Sequence, residues 1–342
     1  MSSKKTKTAL ITGISGMVGS HLAEYLMSHT DWSIHGLIRW RSPLENLENI
    51  IPYVNNQQRV YFHYGDLRDA QSINKVVKEV KPDYVFHLAA QSYPLTSFDA
   101  PIDTYETNIS GTSILLESIK NNCKESIVHV CASSEVFGRV PKDKLPINEE
   151  CNFHPASPYA ISKIGTDLVG RFYAEAYNMK VMTTRMFTHT GPRRGDVFAE
   201  STFAKQIALA EANIIDPVIK VGNLESMRTI ADVRDAVRAY YLLVTKNPIG
   251  GEYYNIGGSY SCKIKDILDD LISLSTIKDQ IKVKEDPNRL RPIDADLQVP
   301  DTTKFTNHTG WKPEIPYKET ILDLLNYWRN KVSKNNGGFL TR

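Results

Sequence analysis

Residues 8–19 constrain this chain more than any other stretch: Thr-Ala-Leu-Ile-Thr runs straight into Gly-Ile-Ser-Gly-Met-Val-Gly. Thr8–Thr12 reads as a short buried strand, and Leu22, Tyr25 and Leu26 follow at helical spacing. Strand, glycine-rich turn and helix, in that order, put a phosphate group at a helix N-terminus. Gly13, Gly16 and Gly19 allow a tight turn, close approach of backbone to phosphate, and close packing of helix on strand. With Ser15, Met17 and Val18 between them, they are the expected cradle of a dinucleotide. The spacing is G-x-x-G-x-x-G rather than G-x-G-x-x-G.

The alternation continues. Residues 33–38, 59–67, 82–90, 126–132 and 180–186 read as strands, with helical patterns between them. One of these patterns spans 101–121 and carries Asn108. Such a chain folds as an α/β, doubly wound parallel sheet with right-handed crossovers. Chemistry then collects at the carboxyl ends of the strands. Arg39-Trp40-Arg41-Ser42 ends the second strand, where an acid suits NAD and arginine suits the 2′-phosphate of NADP. Arg39 makes NADP the expected cofactor, with NAD as the alternative. Asp66 and Leu67 end the third strand; Asp66 either accepts from the adenine amino group or caps the helix beginning near Asp69. Leu88, Ala89, Ala90, Gln91 and Ser92 end the fourth, where small side chains leave room for a ligand. Ser133, Ser134 and Glu135 end the fifth, bringing hydroxyls and a carboxylate to the same edge.

Tyr159 and Lys163 follow in a Ser-Pro-Tyr-x-x-x-Lys run. Residues four apart share a helical face, so the ammonium can approach the phenol and favour its ionised form. The expectation is a base for a sugar hydroxyl. Taken alone, the pair fits an amphipathic surface helix better; the rest of the chain decides.

Beyond residue 187 the alternation becomes irregular. The expected domains are a dinucleotide-binding unit over 1–187, with returning segments near 224–258, and a substrate lobe from 188–223 and 259–342. Residues 230–245 read as a helix and 253–256 as a late strand. A formal net charge of +2 argues against a nucleic-acid binder held by phosphate contacts. No apolar run has membrane-spanning length and no signal-peptide core precedes the first strand, so the expected compartment is the cytoplasm. Four cysteines, Cys123, Cys131, Cys151 and Cys262, show neither metal-type spacing nor a disulfide framework. No metal is expected, and His87 and His189 read as structural.

The ordered motifs Thr12–Gly19, Asp66-Leu67, 87–92, 133–135 and Tyr159-x-x-x-Lys163 resemble the extended short-chain dehydrogenase/reductase family that modifies nucleotide sugars. The resemblance runs from about residue 7 to about residue 330. It is strongest to the GDP-mannose 4,6-dehydratases, through 90–92, 97–99, 134–138, 192–195 and 221–224. The related GDP-4-keto-6-deoxy-mannose reductases are matched by 203–207, 219–225 and 231–235. The resemblance implies an NADP-dependent 4,6-dehydratase that oxidises C4, eliminates water across C5 and C6, and returns hydride to C6. Tyr159 with Lys163 and Ser133 would serve the C4 hydroxyl, and Glu135 would serve C5. Gln91, Ser92, Ser134, Thr188, Arg193, Asn223, Arg228 and Arg291 are the expected substrate contacts, the guanidinium groups suiting a diphosphate. Arg193 and Arg194 are alternatively placed to meet a neighbouring subunit's cofactor. The dehydratase pattern has Thr where this chain has Ser133, and Asn where it has Thr188. After Arg228 it has Asp and an aromatic residue rather than Thr229 and Ile230. These differences fall on the substrate side. The alternatives are a 4-epimerase or 4-keto reductase on the same fold, and a cofactor-binding regulatory protein without catalysis. A nucleotide-diphosphate sugar, with GDP favoured, is the expected partner, and a homodimer or homotetramer the expected assembly.

Overall fold

The computed structural model describes residues 6–335 and Gly338. The first five residues and the last few of the expected domains lie outside the described residues. Six strands follow the chain in order: β1 (Thr8–Thr12), β2 (Ser33–Ile38), β3 (Val60–Tyr64), β4 (Tyr84–His87), β5 (Ile127–Cys131) and β6 (Lys180–Met186). With Tyr253–Ile256 they form one seven-stranded sheet in the order Tyr253–Ile256, β6, β5, β4, β1, β2, β3. Every neighbouring pair is parallel. The chain leaves β1 towards β2 on one side and later returns to β4 on the other. The switch point therefore lies between β1 and β4, where an open α/β sheet binds its ligand.

Alternate residues explain why the sheet is covered on both faces. Ala9 and Ile11 of β1 pack in one apolar layer with Leu22 and Leu26 of the helix Met17–His29. Val237, Tyr240 and Leu243 of the helix Val233–Thr245 join them. Leu10 points the other way, to a layer holding Val76, Leu116 and Tyr173 from three further helices. Each fully buried Leu or Ile contributes about 1.5–3 kcal/mol.

A smaller lobe has its own apolar core, built by Phe203, Ile207, Ile267, Leu268, Leu324 and Trp328. These come from the helices Ala199–Glu211, Ile264–Ser273 and Tyr317–Asn335. Three local readings are corrected. Residues 227–232 form a strand pairing with Tyr260–Lys263, and the helix begins only at Val233. Asp232 stops the strand and caps that helix by accepting from the Arg234 N–H at 2.8 Å. The segment 224–232 thus belongs to the small lobe's sheet, whereas Phe305 and Trp311, from the expected lobe, pack into the large core. The helix expected over 101–121 is interrupted: Glu106–Ser110 is a wider π-helical turn between Pro101–Tyr105 and Gly111–Cys123.

Burial also predicts acid lability. Burial holds His87 and His129 down to about 3, and His21, His35 and His189 to about 4, all below an ordinary 6.5. The unfolded chain takes up these protons first, so stability is complete above about pH 6.5 and falls as pH drops towards 4. Each group contributes up to about 1.4 kcal/mol per pH unit in that window. A melting temperature that drops from neutral pH to about pH 5 is expected. An unchanged one contradicts the neutral, buried histidines.

Candidate active site

A cavity of about 570 Å³ opens at the carboxyl ends of β1, β4 and β5 and reaches the small lobe. Its glycine end is built for close approach. Gly13 has φ of +73°, and a Cβ there would sit 2.9 Å from the Ala89 backbone. A Cβ on Gly19 would meet the Gly13 carbonyl at 2.3 Å. Gly16 caps the helix Met17–His29 without a side chain, and no acid sits in the first turn. The cavity therefore faces uncapped N–H groups at the positive end of a helix, with Gly13, Gly16, Met17, Val18 and Gly19 on its wall. That end fits a pyrophosphate. Ser15 stands just behind, its carbonyl accepting from the Asn46 carboxamide at 3.0 Å.

Thr12 fastens this turn to β4. Its hydroxyl accepts from the Leu88 and Ala89 N–H groups, both at 3.1 Å, and lies 2.9 Å from His87 Nδ1. His87 Nε2 lies 2.9 Å from the Thr112 hydroxyl, which donates to the Asn108 carbonyl at 2.6 Å. Donors and acceptors balance with the neutral His87 protonated on Nε2 and Thr12 donating to Nδ1. His87 is structural, as expected. The π-helical turn aims Asn108 at the same loop: its carboxamide accepts from the Gln91 N–H at 2.8 Å and donates to the Gln91 carbonyl at 2.9 Å.

Tyr159 and Lys163 stand on the helix Pro158–Tyr177, which Ser157 starts by accepting from the Ala160 N–H at 3.0 Å, with Pro158 in the first turn. Both line the cavity and both are buried, at 8% and 5% exposure. Ser133 shares the cavity wall with Tyr159, and its hydroxyl favours the phenolate. Lys163 reaches past the phenol. Its ammonium donates to the Cys131 carbonyl at 2.7 Å and lies 6.0 Å from the phenol ring centre. Burial pushes Tyr159 up, opposed by the Ser133 hydroxyl and by the Arg194 charge. Burial also pushes Lys163 down. Desolvation outweighs the influences that favour the phenolate. Glu135 lies two residues past Ser133, whose hydroxyl accepts from the Glu135 N–H at 3.2 Å. Its carboxylate is 3.9 Å from Arg291.

The small lobe supplies cations. Arg228 donates to the Ala295 carbonyl at 2.7 Å and lies 3.4 Å from Asp294. Arg291 lies 3.5 Å from the same carboxylate, and Asn223 donates to it at 3.3 Å. Asp294 thereby holds Arg228, Arg291 and Asn223 at one end of the cavity, a cluster suited to a diphosphate. Leu88, Ala90, Ser92, Ser134, Thr188 and Arg193 also line the cavity.

Other expected site residues stand off its wall. Gln91 is occupied: its side-chain amide donates to the Tyr93 carbonyl at 3.1 Å and the Thr104 hydroxyl at 3.0 Å, shaping the loop. Ala89 packs against the glycine turn. Asp66 pairs with Arg68 at 3.3 Å, while Asp69 caps the next helix. Leu67 is buried against Gly111, and Arg39 lies exposed in the loop after β2. Arg193 does line the cavity, but it faces the glycine-turn side, paired with Glu24 at 2.6 Å, rather than the diphosphate cluster.

The sequence matches the GDP-mannose 4,6 dehydratase family over residues 10–324. The chain belongs to the GDP-mannose 4,6-dehydratase family. A GDP-mannose 4,6 dehydratase from Drosophila melanogaster is 30% identical, across 94% of this chain and 86% of that protein. The GDP-6-deoxy-D-mannose reductase of Pseudomonas aeruginosa is 29% identical, across 96% and 99%. The structure of RMD from Pseudomonas aeruginosa complexed with NADPH superposes with a TM-score of 0.80 at 28% identity, covering 96% of this chain and 100% of that one.

This dehydratase-family site includes Asp294, which reading the sequence passed over, and Arg194, which it placed only towards a neighbouring subunit's cofactor. Arg194 stacks 3.4 Å above the Phe198 ring and pairs with the buried Glu200 at 3.1 Å. It lines the cavity and favours the Tyr159 phenolate, a role assigned in the sequence to Lys163. Asp294 was invisible because its partners Asn223, Ser226 and Arg228 lie 66 to 71 residues away. The repeated Arg193-Arg194 was the only sequence signal.

Proposed function

We propose that this chain is an NADP-dependent GDP-mannose 4,6-dehydratase. It oxidises C4, eliminates water across C5 and C6, and returns hydride to C6. One observation carries the reading: Glu135 shares a cavity with the Ser133–Tyr159 pair at one end and the Arg228–Arg291 cluster at the other. Oxidation at C4 needs a group for the hydroxyl proton, and elimination needs a second group for C5. Ser133 and Tyr159 share the first proton. Glu135 takes the C5 proton, which the C4 ketone makes acidic, and protonates the departing C6 hydroxyl. Arg228 and Arg291, steadied by Asp294, hold the diphosphate. Gly13–Gly19 would hold the cofactor pyrophosphate, which the uncapped helix end supports. The cofactor held there would supply the acceptor for the C4 hydride, and its oxidised ring a positive charge that would favour the Tyr159 phenolate.

The reductase reading has its own support in the full-length likeness to RMD, whose structure holds NADPH. Incubating the purified protein with GDP-mannose and a panel of UDP-, CDP- and GDP-sugars, without reductant, separates the two. Loss of one water from GDP-mannose supports dehydration. A new isomer of unchanged mass overturns it, as does a protein that leaves GDP-mannose unchanged but adds two hydrogens to a GDP-4-keto-6-deoxy sugar supplied with NADPH.

The protein is a homo-oligomer of cytoplasmic type in this reading. Ile161, Leu168 and Phe172 are 45%, 48% and 54% exposed on one helix, beside Ile102 at 63%. That apolar stripe suits a second copy of the chain, and four free thiols suit a reducing compartment. Phe172→Glu combined with Leu168→Glu is expected to reduce the assembly to monomers by light scattering. An unchanged mass places the contact elsewhere.

A further inference from the structure

Asp167 and Arg185 form an ion pair at 2.6 Å, with side chains 0% and 1% exposed. The chemistry described above makes no use of it. Asp167 stands four residues past Lys163 and eight past Tyr159, so all three share one face of the helix Pro158–Tyr177. Asp167 lies about 12 Å along the helix axis from Tyr159. Arg185 is the last residue but one of β6, and Met186, Phe187 and Thr188 after it line the cavity.

The guanidinium joins several segments. Its Nε donates to Asp167, and its Nη1 donates to the Glu149 carbonyl at 2.7 Å. It lies 4.5 Å from the Tyr253 ring centre, 4.8 Å from that of Phe153 and 5.4 Å from that of Phe137. Phe137 closes the short helical turn Ser134–Phe137, which carries Glu135. One side chain thus reaches the helix of Tyr159, the turn of Glu135 and the strand leading to Thr188. Stability alone does not explain it. A buried ion pair recovers little beyond its desolvation, and apolar residues of similar volume often serve as well or better. Here Asp167 Oδ1 meets no donor among the described residues, which adds to that penalty. What the pair supplies over apolar packing is direction. Two N–H groups of one rigid fork fix the helix against β6, whereas apolar contact is non-directional.

We propose that Asp167 and Arg185 are positioning residues that set the placement of Tyr159 relative to Glu135. C4 and C5 of the sugar are bonded neighbours, so the two groups must hold their places to about 0.5 Å to act in turn on one substrate. This deepens the dehydration reading above and rests on it, because there both groups handle protons. Neither Asp167 nor Arg185 lines the cavity, so neither touches the substrate. Loss of the pair therefore lowers kcat and leaves the diphosphate cluster, and with it KM, in place.

Two variants test this, each by melting temperature and by steady-state kinetics on GDP-mannose. Asp167→Leu with Arg185→Met replaces the pair by apolar groups and should melt no lower than the wild type. Its kcat should nonetheless fall by ~10²-fold, the loss that follows a shift of about 1 Å at the reacting groups, while KM stays within about twofold. Arg185→Lys keeps the cation but not the fork, and should lose only about tenfold in kcat. A folded apolar variant with wild-type kcat overturns the proposal. So does a rise in KM at constant kcat, which moves the effect to substrate binding. Variants that lose turnover only in proportion to the fraction unfolded reduce the pair to a structural brace and overturn it too. Failure of the dehydration reading shows separately, in the wild type. If that protein turns over a different sugar nucleotide, the same comparison is made there, since the alternative reactions also use Tyr159. A fall in kcat then keeps the positioning role, and an unchanged kcat removes it. A wild type inert towards every sugar nucleotide overturns both.

Discussion

Tyr159→Phe is expected to lower turnover of GDP-mannose by ~10²–10⁴-fold, the usual contribution of a positioned acid–base group. The ring packs as before, because the helix is fixed independently by Ser157 and by the Tyr159 N–H, which donates to Ser97 at 3.0 Å. The affinity for GDP-mannose should change little, since the cationic cluster lies on the other lobe. The effect therefore belongs in kcat rather than KM. A variant that retains a tenth or more of wild-type turnover (roughly 1.4 kcal/mol) contradicts the assignment. The wild type carries a further signature. Burial pushes the phenol up, so C4 oxidation should accelerate as pH rises through neutrality.

Glu135→Gln should separate the two halves of the reaction. The amide keeps the shape and the backbone bond to Ser133 but cannot take a proton. Oxidation at C4 is expected to persist, visible as absorbance of the reduced cofactor, while water loss falls by ~10²–10⁴-fold. Exchange of the C5 hydrogen with deuterated water should fall in parallel. A variant that dehydrates at the wild-type rate removes Glu135 from the chemistry. One that fails at C4 oxidation as well makes it part of the first step.

Much of this site was legible because it lies on strand ends. Parallel strands buried on both faces read as short apolar runs, and the residue after each run must fall on the ligand edge. Gly13, Ser133 and Glu135 were found that way. What tertiary packing decides was not legible. Ile230 and Ala231 continue an apolar pattern into a helix, and only pairing with Tyr260–Lys263 makes them a strand. Lys163 sits at the right spacing from Tyr159, yet one of its three N–H groups goes to the Cys131 carbonyl, a bond the spacing does not announce. Gln91 looked like a ligand because it is polar at a strand end, but the interrupted helix brings Thr104 within hydrogen-bonding distance of its amide. In each case a partner distant in sequence, and without local pattern, outweighed the local signal.

The central claim is that hydride leaves C4 and returns to C6 of the same sugar, with Tyr159 and Glu135 handling the protons. GDP-mannose carrying deuterium at C4 tests it most directly, with the product read by mass and by NMR. The expected product is lighter by one water and carries the deuterium at C6. A product that keeps the label at C4, or loses it to solvent or free cofactor, contradicts a 4,6-dehydratase.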